Sequence, residues 1–332
     1  MVSEFSISET LVESLYFVNP ADTNPLGILH GGNLMNWMVS TATLAATRVT
    51  RGNVLLGSLD SVFFIHPIHV GDMVSIKAWV EYIGRSSLEV GVRAKSENTM
   101  THQTSVTTLS HMAFVAVDEY GEPRPVNAQI SPKEEEKSVY LSAQKRWEER
   151  RKRLSDRRER SKDLSAYPTD TPFKMSFSRI VMSDDTIYGN MMFGGKLLKL
   201  LDEFTGALAT KYCSGTVVTG AVDDMSFYHP IRVGNVIDIT VALNYVGRSS
   251  LELGAKVFCE DPFSGNRHHA ATCYYTFVHI DQNGKPAPVP PYQPTRPLEK
   301  QRWKEAELRV EKRKQLVQAL KSMLEQGSLL FE

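Results

Sequence analysis

One carboxylate in this sequence is placed where chemistry can use it. At about 3.6 residues per turn, the segment GKLLKLLDEFTGALATKY puts Lys196, Lys199, Glu203 and Thr210 on one polar face. Asp202 stands apart from them, with Leu198, Thr205, Gly206 and Ala209. An unpaired charge among small and apolar side chains is costly to bury. Such burial raises a carboxylate's pKa towards the range that suits a general base. The plainer reading, a helix Asp that reaches a surface lysine, weighs equally on this pattern alone.

The chain supplies an internal control. GGNLM (31–35) returns as GGKLL (194–198), FIHPIHVGD (64–72) as FYHPIRVGN (227–235), and EYIGRSSLEVG (81–91) as NYVGRSSLELG (244–254), each pair 163 residues apart. Words that keep one offset mark a tandem duplication. At that offset Asp202 corresponds to Val39, while Asn24, in the loop DTNPLGILHGG, corresponds to Ile187 in DTIYGNMMFGG. Each copy has one polar group that the other replaces with a branched aliphatic. If the copies pack as a pseudo-twofold pair, Asn24 meets Asp202 and Ile187 meets Val39, so that one composite site is complete and its mirror image dead.

The elements that would position these groups follow the same order twice. An apolar stretch (10–18, then 173–182) leads through Asp-Thr and a glycine loop into a segment of helical period. The glycine pair ahead of each helix permits close approach to a ligand. Four β-rich runs follow, at 54–65, 73–83, 86–96 and 104–117 in the first copy, with period-two alternation and turn residues at their ends. The expected unit is a long helix followed by an antiparallel meander, an α+β class. The divisions are 1–128 for the first unit, 129–170 for a charged helical linker, 171–295 for the second unit and 296–332 for a C-terminal charged helix. In 133–163, 20 of 31 residues are charged, 12 basic and 8 acidic. Interleaved signs favour a solvated helix lying against the domain or a neighbouring subunit over a nucleic-acid surface.

Together, DTNPLGILHGG with its helix, DTIYGNMMFGGKLLKLLDEFTGALA, the HPI-x-VG turns and both GRSS words resemble the hotdog-fold acyl-CoA thioesterases. The doubled arrangement is similar to the double-hotdog cytosolic and brain acyl-CoA hydrolases, over roughly 8–127 and 172–290. The resemblance implies tandem hotdog folds, each an antiparallel sheet wrapped around a long central helix, with sites between units. It implies hydrolysis of fatty acyl-CoA to free fatty acid and coenzyme A, the helix acid falling on Asp202 and the loop amide on Asn24. Coenzyme A then enters as part of the substrate and no other cofactor or metal is expected. Relatives assemble as three double-hotdog chains, so a homotrimer is expected.

Under that resemblance, Gly31 and Gly32 open a helix whose free N–H groups polarise the thioester carbonyl. Asp202 activates a water or attacks directly to give a mixed anhydride, and Asn24 orients the water or the carbonyl. His30 belongs with the glycines as a substrate-binding residue; as a base it is disfavoured, because the second copy has Phe193 there. Arg85, Ser86 and Ser87, or Arg248, Ser249 and Ser250, are candidates for the coenzyme phosphates, and each word is also a tight turn between strands.

The remaining features exclude rather than assign. The 332 residues carry 38 basic and 38 acidic side chains, so no global field draws in nucleic acid or an anionic membrane. Cys213, Cys259 and Cys273 form neither a disulfide framework nor a zinc spacing. The acidic N-terminal stretch lacks the form of a signal peptide and no apolar run reaches the roughly 18 residues of a membrane span; a cytoplasmic setting is expected. His268 and His269, beside Arg267, read as a solvated loop, and His66 and His229 as structural turn residues. Two competing functions stand: a non-hydrolytic acyl-CoA-binding or regulatory module, and an acyl-thioester dehydratase, whose His-with-acid signature is not visible in the sequence.

Overall fold

The computed structural model describes residues 2–152, 159–167 and 169–325. The first unit comprises β1 (Ser3–Phe5), β2 (Val12–Phe17), α1 (Gly31–Thr50), β3 (Val54–Leu59), β4 (Val62–Phe63), β5 (Met73–Ile83), β6 (Ser87–Glu97), β7 (Thr104–Ala116) and β8 (Ala128–Ile130). A charged helix, α2 (Lys137–Lys152), follows. The second unit has β9 (Lys174–Ile180), β10 (Thr186–Ile187), β11 (Met191–Met192), α3 (Gly194–Cys213), β12 (Val217–Val222), β13 (Met225–Phe227), β14 (Val236–Val246), β15 (Ser250–Glu260) and β16 (Arg267–His279), and α4 (Pro297–Glu325) comes after it. Residues 153–158 of the expected linker and 326–332 of the expected C-terminal helix lie outside the described residues.

The α+β class holds, with one correction to the meander. In order, the sheet runs β2-β5-β6-β7-β3-β13-β16-β15-β14-β9, and β12 pairs with both β16 and β4. The strand after each helix therefore pairs with the last long strand of its unit, β7 or β16, not the next one. That leaves the free edge of β5 to β2, whose sequence had shown only as an apolar stretch. It also puts β3 and β12 at the seam between units. There Leu59 pairs with Met225 and, one copy over, Val222 pairs with Val62. These two pairings exchange under the 163-residue offset, so the duplication folds into one twelve-stranded sheet with an internal pseudo-twofold axis.

The two central helices bury their apolar stripes inside the curved sheet and pack against each other. Leu34, Met35, Met38, Val39, Ala42 and Ala46 of α1 join Leu197, Leu198, Leu201 and Ala209 of α3 in one core. Small residues let the helix starts approach closely. A Cβ on Gly32 would stand 2.9 Å from the Lys199 Cα, and one on Gly195 would stand 3.1 Å from the Asn36 Cα, the mirror contact. The glycine pairs thus serve the approach of one unit to the other, as well as any approach to a ligand.

The charged helices lie on the outer face of the sheet with arginines directed inward. Arg150 of α2 reaches Glu89 at 3.1 Å and Asp60 at 2.8 Å, and Arg146 pairs with Glu81. On the second unit Arg313 of α4 joins Glu252 at 2.6 Å and Asp223 at 2.7 Å. Burial pushes the Glu81 and Glu89 carboxyls up to about 7 against the pull of these arginines. One face of each helix is solvated as expected; the other closes buried carboxylates on the sheet.

Candidate active site

Asp202 is fully buried on α3, at the junction with the start of α1. The sequence left open a reach to a surface lysine; the carboxylate instead turns inward and is compensated from three directions. Its Oδ2 accepts the Gly32 amide N–H at 2.8 Å and lies 2.9 Å from Nδ1 of His30, and its Oδ1 accepts the Thr219 hydroxyl at 2.8 Å. Two partners come from the first unit and one from β12 of the second. A helix N-terminus and a charge-assisted hydroxyl are favourable company for an anion.

His30 precedes α1 as its N-cap, with the backbone held by its N–H to the Asp22 carbonyl at 2.9 Å. Burial opposes charge on its ring. The Asp202 carboxylate outweighs that and holds the His30 pKa above the ordinary value of 6.5, helped by Glu203 and opposed by Lys199. Of the two glycines, Gly32 has its N–H engaged by Asp202, while Gly31 borders the adjoining cavity. Among the described residues the Gly31 amide has no acceptor, as expected for the first turn of a helix. A Cβ on Gly31 would lie 2.7 Å from the Thr219 side chain.

The cavity measures about 780 Å³ and lies between the units. Asn24, His30 and Gly31 border it from the first unit; Gly206, Thr219 and Phe277 border it from the second. Asp202 itself does not reach the cavity surface; it sits behind His30, Gly31 and Thr219. Asn24 is fixed by its own loop, its Oδ1 accepting the N–H groups of Leu26 at 3.0 Å and Ile28 at 3.1 Å. Its Nδ2 amine has no protein acceptor among the described residues, so the group Asn24 offers the cavity is a hydrogen-bond donor.

At the mirror site the four polar side chains are all replaced by apolar ones. Asp202, His30, Thr219 and Asn24 correspond to Val39, Phe193, Leu56 and Ile187. The matching cavity, lined by Leu55, Leu56, Met191, Met192, Leu197 and Phe227 among others, holds about 340 Å³. Tyr188 accounts for part of the difference. Its hydroxyl lies 3.3 Å from Thr47 Oγ1 and from the Val54 amide, positions that correspond to Thr210 and Val217 in the lining of the larger cavity. Thr219 was missed by sequence reasoning, although the offset could have found it: Leu56 is a third polar-to-aliphatic exchange.

The two GRSS words are two-residue hairpin turns, closed by the Gly84 N–H to the Ser87 carbonyl at 2.8 Å and Gly247 to Ser250 at 2.7 Å. Neither lines the larger cavity. The second is bonded to the segment that does: the His279 N–H reaches the Ser249 carbonyl, and the Val289 N–H the Arg248 carbonyl, either side of Ile280, Asn283, Gly284 and Pro286. Arg85 and Ser86 hold the corresponding place beside the smaller cavity, and Ser87 Oγ accepts from Trp147 of α2. One of the histidine readings needs correction, while His66 and His229 lie at bends as expected. His268 and His269 are in strand β16 rather than a loop, His269 buried and bonded to the Arg160 carbonyl. His66 lines the larger cavity and His229 the smaller.

A family model described as the thioesterase superfamily matches the chain twice, over residues 26–102 and 189–263, windows whose starts are 163 residues apart. The cytosolic acyl coenzyme A thioester hydrolase of Mus musculus is 28% identical over 309 residues, 87% of this chain and 79% of that protein. Protein VdlD of Helicobacter pylori is 39% identical over 140 residues, covering 42% of this chain and 80% of its own length. The uncharacterized acyl-CoA thioester hydrolase YkhA of Bacillus subtilis is 35% identical over 156 residues, 47% of this chain and 89% of that protein.

Proposed function

From its membership of the thioesterase superfamily, to which this chain belongs in both of its repeats, we propose that it hydrolyses fatty acyl-CoA to free fatty acid and coenzyme A at one composite site. The observation that carries this reading is the convergence of Asn24, His30 and Gly31 with Asp202 and Thr219 around one cavity, beside a mirror site that has lost the side-chain groups together. Names of relatives that speak of acyl-CoA thioester hydrolysis agree with it.

In this reading the acyl group occupies the apolar part of the cavity near Leu34, Phe64, Val218 and Phe277. The Asn24 amine and the Gly31 N–H donate to the thioester oxygen as it gains charge. Asp202 supplies the basicity for water attack, with Thr219 holding its Oδ1. Coenzyme A runs past the Arg248–Ser249–Ser250 turn, the copy bonded to the rim of the working cavity; the Arg85–Ser86–Ser87 turn serves the mirror side. The substrate is the only carrier of coenzyme A, and no metal takes part. We place the activity in the cytosol, where the name of the mouse relative puts that protein; among the described residues no helix is long and apolar enough to cross a membrane. A homotrimer of double units is consistent with exposed Phe17 and Val70 recurring as Ile180 and Val233 at related edge positions.

Free-thiol release from a ladder of acyl-CoA lengths tests the assignment. Turnover that falls at least 100-fold in Asp202→Asn supports it; turnover unchanged in that variant overturns it. One observation favours a second reading. His30 against Asp202 is a His-with-acid pair invisible in the sequence, as a hydratase or dehydratase would use, so the same preparation is to be offered a 3-hydroxyacyl-CoA. An enoyl product without free thiol would select that chemistry.

A further inference from the structure

We propose that Tyr275 is a positioning residue for the hydrolysis, its hydroxyl anchoring from strand β16 the turn of α3 that carries Asp202. This deepens the hydrolase reading and rests on it. Tyr275 is fully buried, and its hydroxyl donates to the Leu198 carbonyl at 3.1 Å. Leu198 lies one helical turn ahead of Asp202, so the same carbonyl takes the Asp202 N–H in the i to i−4 ladder of the helix. Through one peptide oxygen the tyrosine holds the backbone from which the carboxylate projects.

A second tie comes from the neighbouring strand. β12 pairs with β16, Val222 opposite Tyr275 and Thr219 opposite Phe277, and the Thr219 hydroxyl holds Asp202 Oδ1. Two hydroxyls on adjacent strands therefore fasten the acid to the sheet, one at its backbone and the other at its carboxylate. Two residues further along β16, and so on the same face, Phe277 lines the larger cavity with its ring centroid 6.2 Å from that of Tyr275. Tyr275 itself is absent from the lining, so it acts on the acid and not on the substrate.

The duplication separates this role from packing. Phe277 recurs as Phe114, so the ring beside the cavity is kept in both units. Tyr275 becomes Met112, which is also fully buried; the first unit fills the space without a hydroxyl. Taking a hydroxyl out of water is costly unless it is bonded, and this one occurs in the unit that holds the acid, whose counterpart is Val39. Burial holds the Tyr275 pKa well above 10, with Cys273 and the Asp202 charge adding to it, so the hydroxyl stays a donor.

Tyr275→Phe removes the hydroxyl and keeps the ring. It is assayed in the full chain by thiol release from an acyl-CoA that the wild type turns over, below the melting onset of each variant measured by calorimetry. The expected fall in kcat is about 10- to 10²-fold, the loss that a displacement of up to about 1 Å brings, with KM held within about twofold. The acid limb of the kcat profile should move to higher pH, because a carboxylate held less closely by its donors loses support for its charge. The other titratable groups nearby, His30 ahead of α1, Lys199 and Glu203 on α3 and Cys273 on β16, are untouched by the substitution. Tyr275→Met, which copies the first unit, should behave alike and replaces Tyr275→Phe if that variant does not fold. A kcat within about twofold of wild type, or a lower kcat with the acid limb unmoved or with KM rising in step, overturns the inference and leaves the hydrolase reading standing. A wild-type protein without thiol release on any acyl-CoA removes the reading itself.

Discussion

Val39→Asp is the change that most sharply tests how the two sites differ. It puts a carboxylate into the mirror of the Asp202 position, at a residue with no exposure. In the working site the acid meets an amide N–H, a hydroxyl and an imidazole. At position 39 the pseudo-twofold relation leaves only the Gly195 amide; the hydroxyl has become Leu56 and the imidazole Phe193. Nearby, Asn36 Oδ1 is buried without a partner among the described residues and would repel the new charge. A buried charge whose partners are missing costs about 3–5 kcal/mol. Each kcal/mol moves the midpoint by roughly 2–4 °C in chains of 150–250 residues, so the expected fall in Tm is roughly 6–20 °C. Adding Leu56→Thr and Phe193→His should return about 1.5–3 kcal/mol for each donor restored, and the recovery should be absent when those two are made in the wild-type background. Calorimetric melting of the four variants closes the cycle. If Val39→Asp melts within about 2 °C of wild type, or if the paired changes only deepen its loss, the proposed basis of Asp202's tolerance is wrong.

Two further outcomes follow from the same geometry. Thr219→Val removes the Oδ1 donor to Asp202 without changing shape much; the lost hydrogen bond to a charged group is worth about 1.5–3 kcal/mol, and kcat for thiol release should fall while coenzyme A binding, measured by calorimetry, stays the same. Arg150→Met strands the buried Glu89 beneath α2, along with the half-buried Asp60, and should lower stability by about 3–5 kcal/mol at pH 8. Burial raises the Glu89 carboxyl from 4.5 to about 7 even with Arg150 present. A carboxyl raised on folding favours the folded state below its unfolded value and loses that contribution as pH rises through the folded one. Without Arg150 the folded value rises further, so the deficit of Arg150→Met should shrink as pH falls from above 8 to about 7 and lose its Glu89 part below that, in urea melts repeated across that range.

The sequence carried the duplication, both central helices and the long strands, because a repeated word and a hydrophobic period are local signals. It missed how β3 skips over β5 and β6 to reach β7, since pairing partners in a sheet are set by which edges remain free and not by order in the chain. The candidate site divides in the same way. Asp202 and Asn24 stood out because each is a polar exception that the other copy removes. His30 can be compared in sequence only with its own counterpart, Phe193, whereas its contact in the structure crosses to Asp202 of the other unit. Thr219 sits in a strand that reads as ordinary alternation; only its contact with Asp202 gives it a role. The inward arginines of α2 and α4 were hidden for a related reason, because a charged helix looks the same in sequence whether its arginines meet water or a buried glutamate.

The central claim is that one site, built from both repeats, does the chemistry. Asn24 belongs to the first unit and Asp202 to the second, so turnover per chain in Asn24→Ala, Asp202→Asn and the double variant tests it directly. Each single change is expected to remove at least about 99% of acyl-CoA hydrolysis, a loss of about 2.7 kcal/mol or more in barrier terms, with the double variant no worse than the poorer single. Retention of about half the activity in either single variant, with the remainder lost only in the double, would mean two working sites and would contradict the account.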